Sequence, residues 1–324
     1  MRRVLVLGGT AWLGRTIAAR AASSGAQVTC LARGSSGQVP EGATWVRADR
    51  SSPGAYDALD GDWDEVIEIA YEPDLVTGAL DALTPRAAHW TLISSVSVYA
   101  DNSVPFEDES ATLVEPTDLT QYPDAKVAAE RATRERIGDR LLIARPGLIV
   151  GAGDPSDRLG YWPARLALAS AGSDAVLAPT LEGRHAQVID VEDLAAWVVR
   201  AGAAAATGAV NAVGAVHTLG DVLEAAARVA EFSGRWAHAD DDALLAADVR
   251  YWAGPRSLPL WLPADHGGFM RRSGARYLEL GGTLTPLKET LERLLADERG
   301  RGLDRPRRSG LTRAEELEAL ATLP

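Results

Sequence analysis

Short apolar runs alternate with helical spacing along the first half of the chain. Val4–Leu7 is an unbroken apolar run ending in Gly8-Gly9. A run without polar alternation predicts a strand buried on both faces, as in a parallel sheet. Leu13–Ser23 then carries small residues at helical spacing. Gln27–Ala32 and Thr44–Val46 read as two further strands, and Glu65–Ala70, after the turn-rich Asp60-Gly61-Asp62, as a fourth. Asp74–Leu83 is helical, Trp90–Ser94 a fifth strand, Val127–Ile137 part of a helix, and Leu141–Ala144 a sixth strand. Strand–helix alternation of this kind predicts an α/β fold built on a Rossmann-type, doubly wound parallel sheet.

The second half is less regular. Asp190–Arg200 has helical spacing and Val210–Val213 reads as one more sheet strand. From about Arg235, Trp and Pro become frequent (Trp252, Pro255, Pro259, Trp261, Pro263), which predicts loops and short elements over the sheet edge. Helices around Leu287–Arg299 and Thr312–Leu320 close the chain.

Composition narrows the function. With 324 residues, 46% hydrophobic and 24% charged, the chain has an ordinary globular composition and ample length for a core. Its formal net charge of -12 opposes a phosphate backbone, so nucleic acid is not the expected partner. The basic group Arg299, Arg301, Arg305, Arg307 and Arg308 reads as a solvated connector between the last two helices. One cysteine, Cys30, excludes an internal disulfide, and scattered histidines suggest no metal site. No apolar run approaches membrane-spanning length, and the first strand starts too early to leave room for a signal peptide. The expectation is a cytoplasmic monomer or homodimer that handles a small molecule. The charges Glu130, Arg131, Arg134 and Glu135 are taken to face outward and mark no dimer face.

Two motifs carry chemistry. Gly8-Gly9-Thr10-Ala11-Trp12-Leu13-Gly14 lies between the first strand and the first helix. A glycine turn there aims backbone N–H groups and the positive end of the helix dipole at a phosphate. After the second strand come Ala32 and Arg33, where NAD-preferring folds place an acid on the ribose 2′-OH. Arginine there suits a 2′-phosphate, with Ser35 and Ser36 as further donors, so NADP(H) is expected and NAD(H) is the alternative. The second motif is Tyr122-Pro123-Asp124-Ala125-Lys126. On a helix its Tyr and Lys share one face, and an ammonium beside a phenol lowers the phenol's pKa toward the working range. Ser95, in Ile93-Ser94-Ser95-Val96-Ser97-Val98-Tyr99, ends the fifth strand, where open α/β sheets place their ligands.

The ordered set of glycine turn, Ser95, Tyr122 and Lys126 resembles the extended short-chain dehydrogenase/reductase family, in its NAD-dependent epimerase/dehydratase branch. Arg145-Pro146-Gly147 and Val188-Ile189-Asp190 extend the resemblance. It implies catalysis by Ser95, Tyr122 and Lys126, with Tyr122 exchanging the proton, Ser95 holding the reacting oxygen, and Lys126 also binding the nicotinamide ribose. It implies cofactor contacts from Gly8, Thr10, Ala11, Trp12, Leu13, Gly14, Arg33, Asp49 (toward adenine), Ala70 and Pro146. It also implies a smaller C-terminal substrate-binding domain. Residues 1–150 and 188–234 are expected to form the dinucleotide-binding unit, and 151–187 with 235–324 the substrate unit. Ser97, Leu148, Tyr161 and Trp162, and further out Trp252 and Trp261, are the expected pocket wall; His266 reads as a loop residue.

Three positions depart from the branch. Leu148 stands where sugar-nucleotide epimerases carry asparagine, and Ala186 where they carry a phosphate-gripping arginine, although Arg184 and His185 are near enough to substitute. Val96 replaces the acid of dehydratases. Each change removes a polar group that a buried diphosphate sugar needs. The expected activity is therefore an NADP(H)-dependent oxidoreduction of a small carbonyl or alcohol. A sugar-nucleotide epimerase or dehydratase is the alternative, and a non-catalytic dinucleotide-binding module, which would not need Tyr122 and Lys126, is a third.

Overall fold

The computed structural model describes residues 1–170 and 175–323; positions 171–174 and 324 of the expected substrate unit lie outside them. In chain order the elements that frame the site are β1 (Arg3–Leu7), α1 (Trp12–Ser23), β2 (Gln27–Ala32), β3 (Ala43–Arg47), β4 (Glu65–Glu68), α2 (Pro73–Leu83), β5 (Trp90–Ile93), α3 (Tyr122–Ile137), β6 (Leu141–Pro146), β7 (Leu148–Val150), α4 (Arg158–Ser170), β8 (Val176–Pro179), β9 (His185–Asp190), α5 (Val191–Ala203), β10 (Gly208–Ala212), β11 (Val216–Thr218) and α6 (Leu219–Val229).

Seven strands form one sheet in the order β10-β6-β5-β4-β1-β2-β3, every pair parallel. The α/β, doubly wound reading thus holds. Its cause is visible in β1: Val4, Leu5, Val6 and Leu7 are all fully buried because side chains on both pleats meet helices. Ile17, Ala18 and Ala21 of α1 and Trp197 and Val198 of α5 cover one face. Val76, Leu80 and Leu83 of α2 and Ala129 and Ile137 of α3 cover the other. The strand order reverses between β1 and β4, and a crevice opens there at the carboxyl ends of the strands.

A separate core holds α4, α6 and the helix Leu287–Arg301. Here the expected division needs correction. Helix α6, assigned from sequence to the dinucleotide-binding unit, buries Leu219, Val222 and Leu223 in this second core, and β9 pairs with β7 and β11 in a small sheet of its own. The apolar stripe of α6 needs a partner surface, and both faces of the main sheet are already covered by α1, α2, α3 and α5. From that stretch, α5 and β10 return to the main sheet, and Ile189 of β9 joins its core.

The basic segment near the carboxyl end is not a solvated connector. Arg305 grips Asp157 and Glu298, Arg307 grips Glu298, and the Arg308 N–H donates to Asp157 at 2.9 Å. Both carboxylates are buried, and a buried anion without such partners is costly. Among the described residues no helix is long and apolar enough to cross a membrane, and no cluster of metal-ligating side chains occurs.

Candidate active site

The turn from β1 into α1 is shaped by two glycines. Gly8 has φ +106°, a region that L side chains rarely adopt. At Gly14 a Cβ would stand 2.4 Å from the Gly8 carbonyl oxygen and 2.8 Å from Ile69 Cδ1, so any side chain would push α1 off the sheet. Ala11, at the middle position, caps α1 in extended conformation without a side-chain hydrogen bond, and no acid lies in the first turn. The first-turn N–H groups are therefore available to an anion, which is the property a dinucleotide diphosphate needs.

This turn opens onto two cavities. One, of about 570 Å³, is lined by Gly8, Thr10, Ala11, Arg33, Ser35, Ser36, Asp49 and Ala70, among others. Arg33 is 66% exposed there, with its guanidinium 4.0 Å from Asp49. The Ser51 hydroxyl and N–H donate to Asp49 at 2.7 and 3.0 Å and hold its carboxyl below the usual range. The other cavity, of about 460 Å³, is lined by Trp12, Leu13, Ser95, Ser97, Tyr122, Lys126, Pro146 and Leu148, with residues not foreseen from sequence. Ile69 and Tyr71 border both.

Tyr122 is the first residue of α3 and Lys126 lies one turn on, fully inside. A buried relay fixes the helix against the sheet. The Ser94 hydroxyl donates to Glu130 at 2.6 Å, and Arg145 of β6 clasps Glu130 with two N–H donors at 2.9 and 2.7 Å. Glu130 was expected on the outer face; it is buried because it anchors this pair. Ser95 accepts from the Ser97 N–H at 3.1 Å and lines the same cavity as the Tyr122 phenol.

The electrostatics differ from the expectation that Lys126 depresses the phenol. Burial in the cleft raises the Tyr122 pKa, opposed by the neighbouring Ser95 hydroxyl and the charge of Arg158. Lys126 is engaged elsewhere. Its ammonium donates to the Ile93 carbonyl at 2.7 Å and to that of Ile69 at 3.4 Å. It stands 4.7 Å from the ring centre of Tyr71 and 5.8 Å from that of Tyr122. Burial lowers its own pKa to about 8.

Two expected pocket residues lie elsewhere. Tyr161 and Trp162, 1% and 0% exposed, pack edge to face in the second core, and the Trp162 indole donates to the Pro259 carbonyl at 2.8 Å. The apolar stripe of α4 turns toward the helix Leu287–Arg301, away from the cleft. Trp261 is likewise buried, against Asp241, whereas Trp252 does line the cavity. His266 sits in a short turn against Asp265, outside this cavity. The lining residues that sequence reasoning missed are Tyr71, Asp154, Ser156, Arg158 and Phe269. The polar run Asp154-Pro155-Ser156-Asp157-Arg158 after β7 was a signal for some of them, since it follows a strand end.

No family model and no curated protein sequence matches the chain. Solved structures do. A Burkholderia cenocepacia protein described provisionally as an epimerase superposes with TM-score 0.70 at 22% identity, over 92% of this chain and 98% of that one. UDP-N-acetylglucosamine 4-epimerase from Bacillus cereus gives 0.69 at 16%, over 94% and 99%. The Thermus thermophilus UDP-glucose 4-epimerase, in complex with NAD, gives 0.64 at 19%, over 93% and 100%. The chain has the fold of these epimerases.

The positions expected from the resemblance to meet a sugar diphosphate carry no free cation. Leu148 lines the cavity as an apolar wall, and Ala186 is buried. Arg184, the expected substitute, pairs with Asp241 and donates to the Thr180 and Leu262 carbonyls.

Proposed function

We propose that the chain is a nicotinamide-dinucleotide oxidoreductase that acts on a small carbonyl compound, with Tyr122 as proton donor, Ser95 holding the reacting oxygen and Lys126 supplying positive charge beside both. The observation that carries this is the single cavity in which Ser95, Tyr122 and Lys126 meet and which runs into the glycine turn. A nicotinamide dinucleotide bound along that turn would supply the hydride. Tyr122, with its pKa raised above the ordinary 10, is protonated across the neutral range, the state needed to donate to the oxygen of a carbonyl under reduction. Steady-state oxidation of NADPH against a panel of aldehydes and ketones tests the reading; no turnover of any of them would count against it.

Arg33, Ser35 and Ser36 on the 570 Å³ cavity favour NADPH. Wild-type protein is expected to bind NADPH more tightly than NADH. Arg33→Asp should weaken NADPH by about 1.5–3 kcal/mol, a factor of roughly 10–150, and leave NADH nearly unchanged. Fluorescence titration of both cofactors measures this, and equal or tighter NADH binding by wild type overturns the preference.

The second reading is an NAD-dependent nucleotide-sugar epimerase, and the named neighbours favour it: two of them are UDP-sugar 4-epimerases, one with NAD bound. The same catalytic trio would serve hydride removal and return on a sugar carbon. Against it stand Leu148, Ala186 and the commitment of Arg184. Calorimetric titration of UDP- and dTDP-sugars into dinucleotide-loaded protein separates the two. The reductase reading expects no micromolar binding; such binding would install the epimerase reading in its place.

A further inference from the structure

We infer that Arg158 anchors a single carboxylate-sized anionic group on the substrate, so that the compound reduced is an oxo acid or a similar monoanion. The inference rests on the oxidoreductase reading above and specifies its substrate class.

Arg158 is the first residue of α4 and lines the same cavity as Ser95 and Tyr122. Its positive charge reaches the Tyr122 phenol and opposes part of the rise in that group's pKa that burial causes. The guanidinium carbon stands 4.9 Å from the centre of the Trp252 ring, and Nε donates to the Ser156 hydroxyl at 3.1 Å. That leaves the two terminal nitrogens, the fork that matches a carboxylate, without an acceptor among the described residues.

Other buried or half-buried arginines of this chain are treated differently. Arg50 has Glu68, Arg145 has Glu130, Arg165 has Glu316, Arg272 has Glu107 and Arg305 has Asp157. Arg158 has no carboxylate within 4.0 Å among the described residues. The nearest acid in the cavity wall, Asp154, is turned to the Ser156 N–H and hydroxyl at 2.8 and 2.9 Å. Burial pulls the Arg158 pKa below its ordinary value, with Asp154 and Tyr122 opposing the shift from a distance. A cation kept in a partly desolvated cavity without a counter-ion is costly unless a ligand supplies the charge.

The surrounding wall sets the capacity. Val96, Leu148, Trp252 and Phe269 are apolar, and the other cation, Lys126, is tied to the Ile93 and Ile69 carbonyls. One free fork in an apolar wall suits one negative charge; a diphosphate would bring more charge than these partners can meet.

The test is equilibrium binding to NADPH-loaded protein of two hydroxy acids, lactate and mandelate, and their methyl esters, which differ only in the anionic group. In wild type at least one acid should bind about tenfold or more tightly than its ester. Arg158→Leu should erase that margin while ester binding stays, and Arg158→Lys should keep part of it. A purely structural role for Arg158 would weaken acid and ester together. Equal binding of acid and ester by wild type, binding of neither, or a margin that survives in Arg158→Leu overturns the inference. So does a loss of NADPH affinity in Arg158→Leu, which would assign the anion to the cofactor. If wild type fails to bind NADPH or NADH at all, the oxidoreductase reading is what falls.

Discussion

Tyr122→Phe is expected to lower turnover by about 10²–10⁴, the usual share of general acid catalysis, while folding and dinucleotide binding survive. The substitution removes one oxygen and keeps the ring, so the edge-to-face contact with Tyr71 at 5.0 Å is retained. Tyr122 is 42% exposed, and its hydroxyl meets Ser95 at the cleft, so little stability rests on that atom. Single-turnover kinetics with saturating NADPH isolate the step. Because the phenol supplies a proton only as the carbonyl oxygen gains charge, kcat and kcat/KM should fall together. A phenylalanine enzyme within threefold of wild type would remove Tyr122 from the mechanism, and with it the argument for carbonyl reduction.

Lys126→Met should slow the same step by about 10²–10³, the scale for loss of a preorganised charge in a desolvated site. It should also change the shape of the pH profile. Burial lowers Lys126 from its ordinary 10.5 to about 8, so the ammonium is present below that pH and is lost as pH rises through it. Wild-type kcat/KM should therefore decline above about pH 8. The methionine variant has nothing to deprotonate there, so its profile should stay level until Tyr122, raised above its ordinary 10, begins to ionise. The two profiles, measured with one carbonyl substrate, settle the point. An identical alkaline limb in both would show that Lys126 does not titrate in the catalytic range.

Much of this was legible in the residues, for identifiable reasons. The parallel sheet announces itself because strands covered on both faces must be apolar throughout, as in Val4–Leu7 and Trp90–Ile93. The proposed cofactor side is legible because the turn from Gly8 to Gly14 is a matter of backbone geometry. The proposed catalytic trio is legible because a helix places Tyr122 and Lys126 on one face. The substrate wall was not. It is assembled from the loop after β7, the start of α4, and the distant Trp252 and Phe269, and no local periodicity relates these segments. Arg158 lines the cavity as the first residue of α4, whereas Tyr161 and Trp162, on the same side one turn further in, are covered by the second core, and nothing local in the sequence marks where that cover begins. The division into units failed at α6 for the same reason: an amphipathic stripe says that a helix is covered, but not by what.

The grip of the carboxyl-terminal arginines on Asp157 reaches further than the packing of two helices. Asp157 adopts φ 58°, a left-handed conformation that aspartate tolerates better than most side chains, and its neighbour in sequence is Arg158. Arg305, Arg301 and the Arg308 backbone clamp that one residue from the far end of the polypeptide. The position of the guanidinium at the cavity thus depends on a segment 144 to 151 residues away in sequence. A charge removed at Arg305 would reach the cavity without touching anything that binds there.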